Sequence, residues 1–355
     1  MPRKEPRYLT IYNDLKQQIL TGELQPDDQL PTELQLTKTY HVSRITSKRA
    51  LTELESRDLI YRKQGSGSFV QRHAQTTTSK QLLVVLPFPT DAGLGDYASG
   101  ISAAANARNY QAVTMDPRGF AQLTTMQIKR NYAGIIYLPQ DLYQEAEQLY
   151  LLKLDHVPVV LLDKSLPELE LPVVAADNFN GGQLATTHLI KQHHQHILFY
   201  AQNPGAVLPS SVYERYFGYL QALHQAGLKP VASIHELVAL NELTPTAWLD
   251  YLKQHQITAI VVENDLIAIK LMNRLRAVDP AIWQRLSIIG FDNIQAASLT
   301  YPALTTIAQD FKGMGRKAVE LLLNTPAKPK IVRLPVKLIK RASTRILTSK
   351  EELNS

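Results

Sequence analysis

From Gln81 onward, short apolar runs alternate with segments of helix length. No other feature of the chain constrains its fold as strongly. The runs are LLVVLPF, QAVTM, GIIYLP, VPVVLL, PVVAA, HILFYA, ITAIVVE and LSIIGF. Continuous apolar runs of this length suit strands covered on both faces, and strands separated by helices pair in parallel. They are too many for one small sheet, so the pattern predicts two similar lobes. Five of the runs end in, or within two residues of, an aspartate: Asp116, Asp163, Asp177, Asp265 and Asp292. Ligands of open parallel sheets bind beyond the carboxyl ends of the strands. A carboxylate there accepts hydrogen bonds from a polyhydroxylated molecule. The competing reading is that each aspartate caps the helix that follows.

The first seventy residues follow another rhythm. Ile11, Leu15 and Ile19 repeat every four residues and mark one helix face, and Gly22 ends that helix. Thr32 is placed to cap a second helix and Ser43 a third. Ser47, Ala50, Leu51 and Leu54 would face inward on the third helix, with Arg44 and Lys48 on the opposite face. Two short strands, 59–62 and 68–70, flank the turn KQGSG. The expected architecture is therefore α/β, with an amino-terminal winged helix-turn-helix (1–71), a polar linker (72–80) and a two-lobed domain with two parallel sheets flanked by helices (81–345).

Charge marks the first region as well. The net charge of the chain is +6, and from Tyr40 to Arg72 seven cations face three acids, an excess of 7 − 3 = +4. Such concentration suits a local polyanion. In a helix-turn-helix the second helix enters the major groove, where arginine pairs with guanine and hydroxyls reach phosphates or base edges. The glycines of Lys63-Gln64-Gly65-Ser66-Gly67 allow a wing to approach a duplex closely.

The stretch PTELQLTKTYHVSRITSKRALTELESRDLIYRKQGSGSFV closely resembles the winged-helix domain of the GntR family of bacterial repressors. The resemblance implies operator contacts from Ser43, Arg44, Thr46 and Lys48, with Gln64 and Gly65 at the wing tip. Thr32, Glu33, Arg49 and Gly67 complete the expected DNA-binding set. Leu34 stands where some members carry a DNA-contacting arginine. Residues from Gln81 to Val336 resemble the sensor domain of the LacI/GalR family, itself similar to periplasmic sugar-binding proteins. The segments that carry this likeness are VPVVLLD, DNFNGGQLATTHLI, ERYFGYLQAL, VENDLIAIKLM, LSIIGFDN and LTTIAQDFKGMGRKAVELL. It implies an effector site of Asp163, Arg215, Asn264, Asp265, Asp292 and Gln309. Tyr213 is added as a ligand contact.

Together the two resemblances imply a repressor of carbohydrate-utilisation genes, released by a small sugar such as arabinose. Its expected partners are near-palindromic double-stranded operator DNA, the sugar and a second copy of the chain. The alternative is a sugar- or nucleotide-modifying enzyme fused to a winged helix, since strand-end aspartates also serve as acids, bases or metal ligands. No cofactor is expected. Gly181-Gly182 and the Gly313–Gly315 segment lack the spacing of phosphate or dinucleotide loops, and no G-x-S-x-G elbow occurs. Without cysteine, disulfides and thiolate chemistry are excluded. His188, His193, His194 and His196 are read as a surface turn rather than a metal site. No run is long enough to span a bilayer and the amino terminus is charged, so a cytoplasmic setting is expected.

Overall fold

The computed structural model describes residues 6–21, 23–57, 59–63, 65–71, 79–87, 95–202, 209–234, 236, 240, 242–324 and 330–347. The chain separates into two compact units, 1–78 and 79–355.

The first unit runs α1 (Arg7–Thr21), α2 (Glu33–Tyr40), α3 (Arg44–Ser56), β1 (Ile60–Lys63) and β2 (Gly67–Val70). Ile11, Leu15 and Ile19 are buried on the inner face of α1, as their spacing predicts. Gly22, expected to end α1, lies outside the described residues. Thr32 starts α2 with a reciprocal cap: its hydroxyl accepts from the Gln35 amide, and the Gln35 side chain accepts from the Thr32 amide. His41 turns left-handed (φ 50°) and closes α2. Ser43 then caps α3 by accepting from the Thr46 amide. Ser47, Ala50, Leu51 and Leu54 are its buried residues. Ser47 hydrogen-bonds the Thr37 hydroxyl at 3.1 Å, which satisfies a polar group in an apolar setting.

β1 and β2 pair antiparallel, with Lys63 opposite Gly67. Gln29 forms a bridge to Phe69, and its side-chain amide donates to the Ser66 carbonyl at 2.8 Å. Gly67 adopts φ +117°, and a Cβ there would stand 2.8 Å from that same amide nitrogen. The backbone conformation favours glycine at this point, whereas the Gln29 side chain could swing away from a Cβ.

The second unit contains β3 (Gln81–Val85), α4 (Tyr97–Asn106), β4 (Gln111–Met115), α5 (Pro117–Phe120), α6 (Thr125–Asn131), β5 (Gly134–Tyr137), α7 (Leu142–Leu154), β6 (Val159–Leu162) and β7 (Val173–Ala176). It continues with α8 (Asn178–Lys191), β8 (Ile197–Tyr200), α9 (Ser210–Gln225), α10 (Pro245–Gln254), β9 (Ala259–Val262), α11 (Asp265–Val278), β10 (Ser287–Asp292) and β11 (Thr305–Ala308). It closes with α12 (Phe311–Leu323), β12 (Ile331–Leu334) and β13 (Lys337–Ile339).

All eight apolar runs are strands. They divide between a six-stranded parallel sheet, β12-β7-β6-β5-β3-β4, and a five-stranded sheet, β13-β11-β10-β9-β8. The second sheet is parallel except for β13, which runs antiparallel to β11. The pattern did not mark β11, β12 or β13. β12 lies at a sheet edge and alternates exposed with half-buried residues, so it lacks a continuous apolar run. The chain passes between the lobes through Asp177, then through Gln309 and Asp310, then through Pro335 and Val336.

α8 and α9 cross closely in the second lobe. A Cβ on Gly182 would lie 2.0 Å from the Arg215 carbonyl oxygen, and one on Gly218 would lie 2.0 Å from that of Phe179. Only hydrogen at both points lets the two backbones meet. The Gly181-Gly182 pair therefore serves helix packing, and this contact sets Arg215 beside the start of α8.

Two of the four histidines are not on the surface. His194 is 1% exposed, with Nδ1 hydrogen-bonded to the Thr258 hydroxyl and Nε2 to the Arg345 carbonyl. His188 pairs with the Thr344 hydroxyl at 3.0 Å. Both rings pin the strap 343–347, whose Ser343 hydroxyl donates to the Ile288 carbonyl. Burial pushes the His194 pKa down to about 4. Among the described residues no group of three His, Asp or Glu is placed to hold a metal ion, and no helix is long and apolar enough to cross a membrane.

Candidate functional site

Arg215, in the first turns of α9, is the centre of a polar cluster where the two lobes meet. It is 5% exposed. Its Nε donates to Asn178 Oδ1 at 2.9 Å, and its Nη1 donates to the Glu263 carbonyl. Its Nη2 lies 3.9 Å from Asp292 Oδ1. The guanidinium carbon stands 3.8 Å from the centroid of the Phe291 ring. A buried guanidinium needs this many partners to offset its lost hydration.

Asp292 ends β10 and Asp163 follows β6. Both have left-handed backbones, φ 116° and 65°. That conformation costs about 1–2 kcal/mol for a residue with a Cβ. Asp292 accepts from the Gln309 amide. Asp163 accepts from the Ser211 hydroxyl at 3.1 Å across the lobe boundary. Asp163 Oδ1 and Gln309 Oε1 are buried and have no hydrogen-bond partner among the described residues. A buried acceptor left without a donor is costly, so these two atoms suit a hydroxyl-bearing molecule.

The electrostatics are those of a buried, crowded site. Burial pushes the Asp292 carboxyl up to about 6, against the pull of Arg215 and the Gln309 hydrogen bond. Burial likewise raises Glu263 to about 7. Lys164 donates to the Pro139 and Gln140 carbonyls, each at 2.6 Å, and burial lowers its pKa. Tyr97, at the start of α4, is raised well above its ordinary value, first by burial and then by the charges of Asp163 and Asp292. Its ring meets Phe311 edge-on at 5.0 Å.

Asp163, Arg215, Asp292 and Gln309 thus converge, whereas the other expected effector residues sit differently. Asn264 caps α11 by accepting from the Ile267 amide. Asp265 is fully buried, and both its oxygens are occupied, by the Thr306 hydroxyl at 2.6 Å and the Ile294 amide at 3.0 Å. It braces the loop after Asp292 rather than offering a free oxygen. Burial and the charge of Asp292 push its pKa up to about 8. Tyr213 stacks on Phe217 at 6.0 Å, and among the described residues it takes no hydrogen bond from the cluster. Asp116 and Asp177 are helix caps, accepting from the Gly119 and Asn180 amides. Tyr97, Lys164 and Asn178 were not singled out from sequence. The Asp-Lys and Asp-Asn pairs at strand ends were the only signal for the last two.

In the first unit, Arg44 is exposed on α3, and its Nε meets Glu33 Oε2 at 3.1 Å. Glu33 therefore orients Arg44 rather than facing a polyanion with its own free charge. Arg49 lies over the Tyr8 ring at 4.0 Å. Thr46 shares its hydroxyl with Ser43 at 2.9 Å. Lys48 is exposed. Gly65 and Gly67 both take positive φ in the wing turn, and Gln64 between the strands lies outside the described residues. Arg57 and Arg62 pair with Glu53 and Glu55. Among the described residues of α3 and the hairpin, Lys48 and Lys63 are exposed cations that form no ion pair.

Residues 7–70 match the model of bacterial regulatory proteins of the gntR family, and residues 186–344 match that of the periplasmic binding protein-like domain. An arabinose metabolism transcriptional repressor of Geobacillus stearothermophilus is 28% identical over 334 residues, covering 90% of each chain. The HTH-type transcriptional repressor CytR of Escherichia coli is 29% identical over 295 residues, covering 80% of this chain and 82% of that one. Among solved structures, a LacI family transcriptional regulator from Enterococcus faecium with bound ribose superposes with a TM-score of 0.60 at 25% identity, over 76% of this chain and 100% of that one. The chain therefore joins a bacterial regulatory domain of the gntR family to a periplasmic binding protein-like domain.

Proposed function

We propose that the protein is a cytoplasmic transcriptional repressor of carbohydrate-utilisation genes that a small sugar, arabinose foremost, releases from its operator. It binds near-palindromic DNA as a homodimer, with the cap Ser43 and Arg44, Thr46 and Lys48 of α3 facing the major groove and the Gly65–Gly67 turn beside it. The sugar sits between Asp163, Arg215, Asp292 and Gln309. The observation that carries this reading is the convergence of those four side chains with two unpartnered acceptors, in a chain whose other unit presents a cationic helix. Similarity to arabinose metabolism repressors favours arabinose, and the ribose-bound neighbour favours a pentose of some kind. A sugar that binds one lobe arrangement better than another shifts the population toward it, and DNA affinity changes by the reciprocal coupling.

Thermal unfolding of the full chain against arabinose, ribose and a panel of hexoses tests the site, because binding to the folded state raises its stability by mass action. Arabinose should give the largest rise. Asp163→Asn should abolish that rise while leaving the unliganded midpoint near wild type, and Asp292→Asn should abolish it while lowering the unliganded midpoint, since buried Arg215 loses its carboxylate partner. A rise retained in both variants would refute the assigned site.

A further inference from the structure

We infer that Ile45 reads the C5-methyl group of thymine, which makes it a specificity-determining residue of the DNA interface proposed above, on which this inference rests. The inward face of α3 holds Ser47, Ala50, Leu51 and Leu54. The outward face holds Arg44, Ile45, Lys48 and Arg49, all exposed. Ile45 is 81% exposed, so its hydrocarbon lies in water in the middle of a cationic strip. It stands three residues before Lys48 and four before Arg49, the spacings that place side chains side by side on a helix.

The cations around it are partly committed. Glu33 holds Arg44 and the Tyr8 ring holds Arg49. Ile45 makes no such polar contact and gains nothing from a phosphate. It sits in the first turn of α3, two residues after the Ser43 cap. The amino-terminal residues of a recognition helix are the ones that reach base edges. In the major groove the apolar group offered by a base pair is the thymine methyl. A β-branched side chain on a helix has one strongly preferred χ1, so Ile45 projects in a fixed direction and loses little freedom on contact. These features together favour recognition of a thymine next to the base pair that Arg44 addresses.

The experiment uses the full chain. Duplexes bound from a random pool are enriched, and in the enriched sequence each thymine is replaced singly by deoxyuridine, which removes only the methyl group. At one or two positions per half-site the wild type should lose about three- to fivefold in affinity, the value of one buried methylene-sized group. Ile45→Ala should lose a similar factor on the thymine duplex and be indifferent to deoxyuridine at the same position, the non-additivity of a direct contact. Its unfolding midpoint should match wild type, since the side chain packs against little. The inference is overturned if no thymine proves methyl-sensitive, or if Ile45→Ala keeps the wild-type sensitivity. If the pool enriches no sequence at all, the DNA-reading assignment falls and this inference falls with it.

Discussion

Two arginines, Arg44 and Arg215, show how the same side chain serves opposite ends. Arg44 keeps one partner and leaves most of its guanidinium in water, with 80% of the side chain exposed. Arg215 is 6% exposed by the same measure and holds Asn178, the Glu263 carbonyl, Asp292 and the face of Phe291. The difference separates a charge kept available for a partner outside the chain from a charge that organises its surroundings. It also predicts where stability resides. An exposed pair is worth about 0–1 kcal/mol, whereas removing one partner of a buried pair costs about 3–5 kcal/mol.

The largest expected effect tests that contrast directly. Arg215→Met should destabilise the second unit by about 3–5 kcal/mol, because Asp292 and Asn178 lose their cation in a buried site. Arg44→Ala should change stability by less than about 0.5 kcal/mol while abolishing sequence preference in a gel shift. Urea unfolding of both variants measures the first quantity, and equal losses would erase the distinction. An intermediate effect sharpens the account of the first unit. Ser43→Ala removes the cap of α3 and should cost about 1 kcal/mol, whereas Ser43→Asn, a competent cap, should restore most of it. If the asparagine variant is no better than alanine, Ser43 does not act through capping.

The smallest effect is a slope. Folded Asp265, raised to about 8, holds a proton more firmly than the unfolded residue. Its contribution to stability is complete below the unfolded value near 4 and is lost as pH rises through about 8. The midpoint of the second unit should therefore fall between about pH 6.5 and 8 and level off above that. Asp265→Asn should flatten that fall. His194 has the opposite sign, with its folded value near 4, so it acts below pH 6.5 and does not mask this window. An undiminished fall in the Asp265→Asn variant would assign the slope to other groups.

Much of this was legible in the chain. Strand runs, caps and the inward face of α3 follow from local spacing, and spacing is retained in the fold. The strand-end aspartates mark the limit of that reading. Asp116, Asp163, Asp177 and Asp292 all follow apolar runs, yet two are caps and two join the polar cluster. What separates them is backbone conformation: Asp163 and Asp292 are left-handed, and the residue type does not encode that. Tyr97 was missed because its role depends on Asp163 and Asp292, which lie far along the chain. His188 and His194 were misjudged for the same reason, since the strap that covers them begins some 150 residues later.

The passages between the lobes have a mechanical consequence. Gln309 and Asp310 form one of them, and Gln309 also donates to Asp292 inside the polar cluster. A molecule gripping that amide would pull at the pivot itself rather than at the end of a lever arm. With Asp177 and the Pro335-Val336 step as the remaining pivots, tilting of one lobe is confined to a narrow set of axes. A small displacement at the amide would then be transmitted as rotation of a whole lobe.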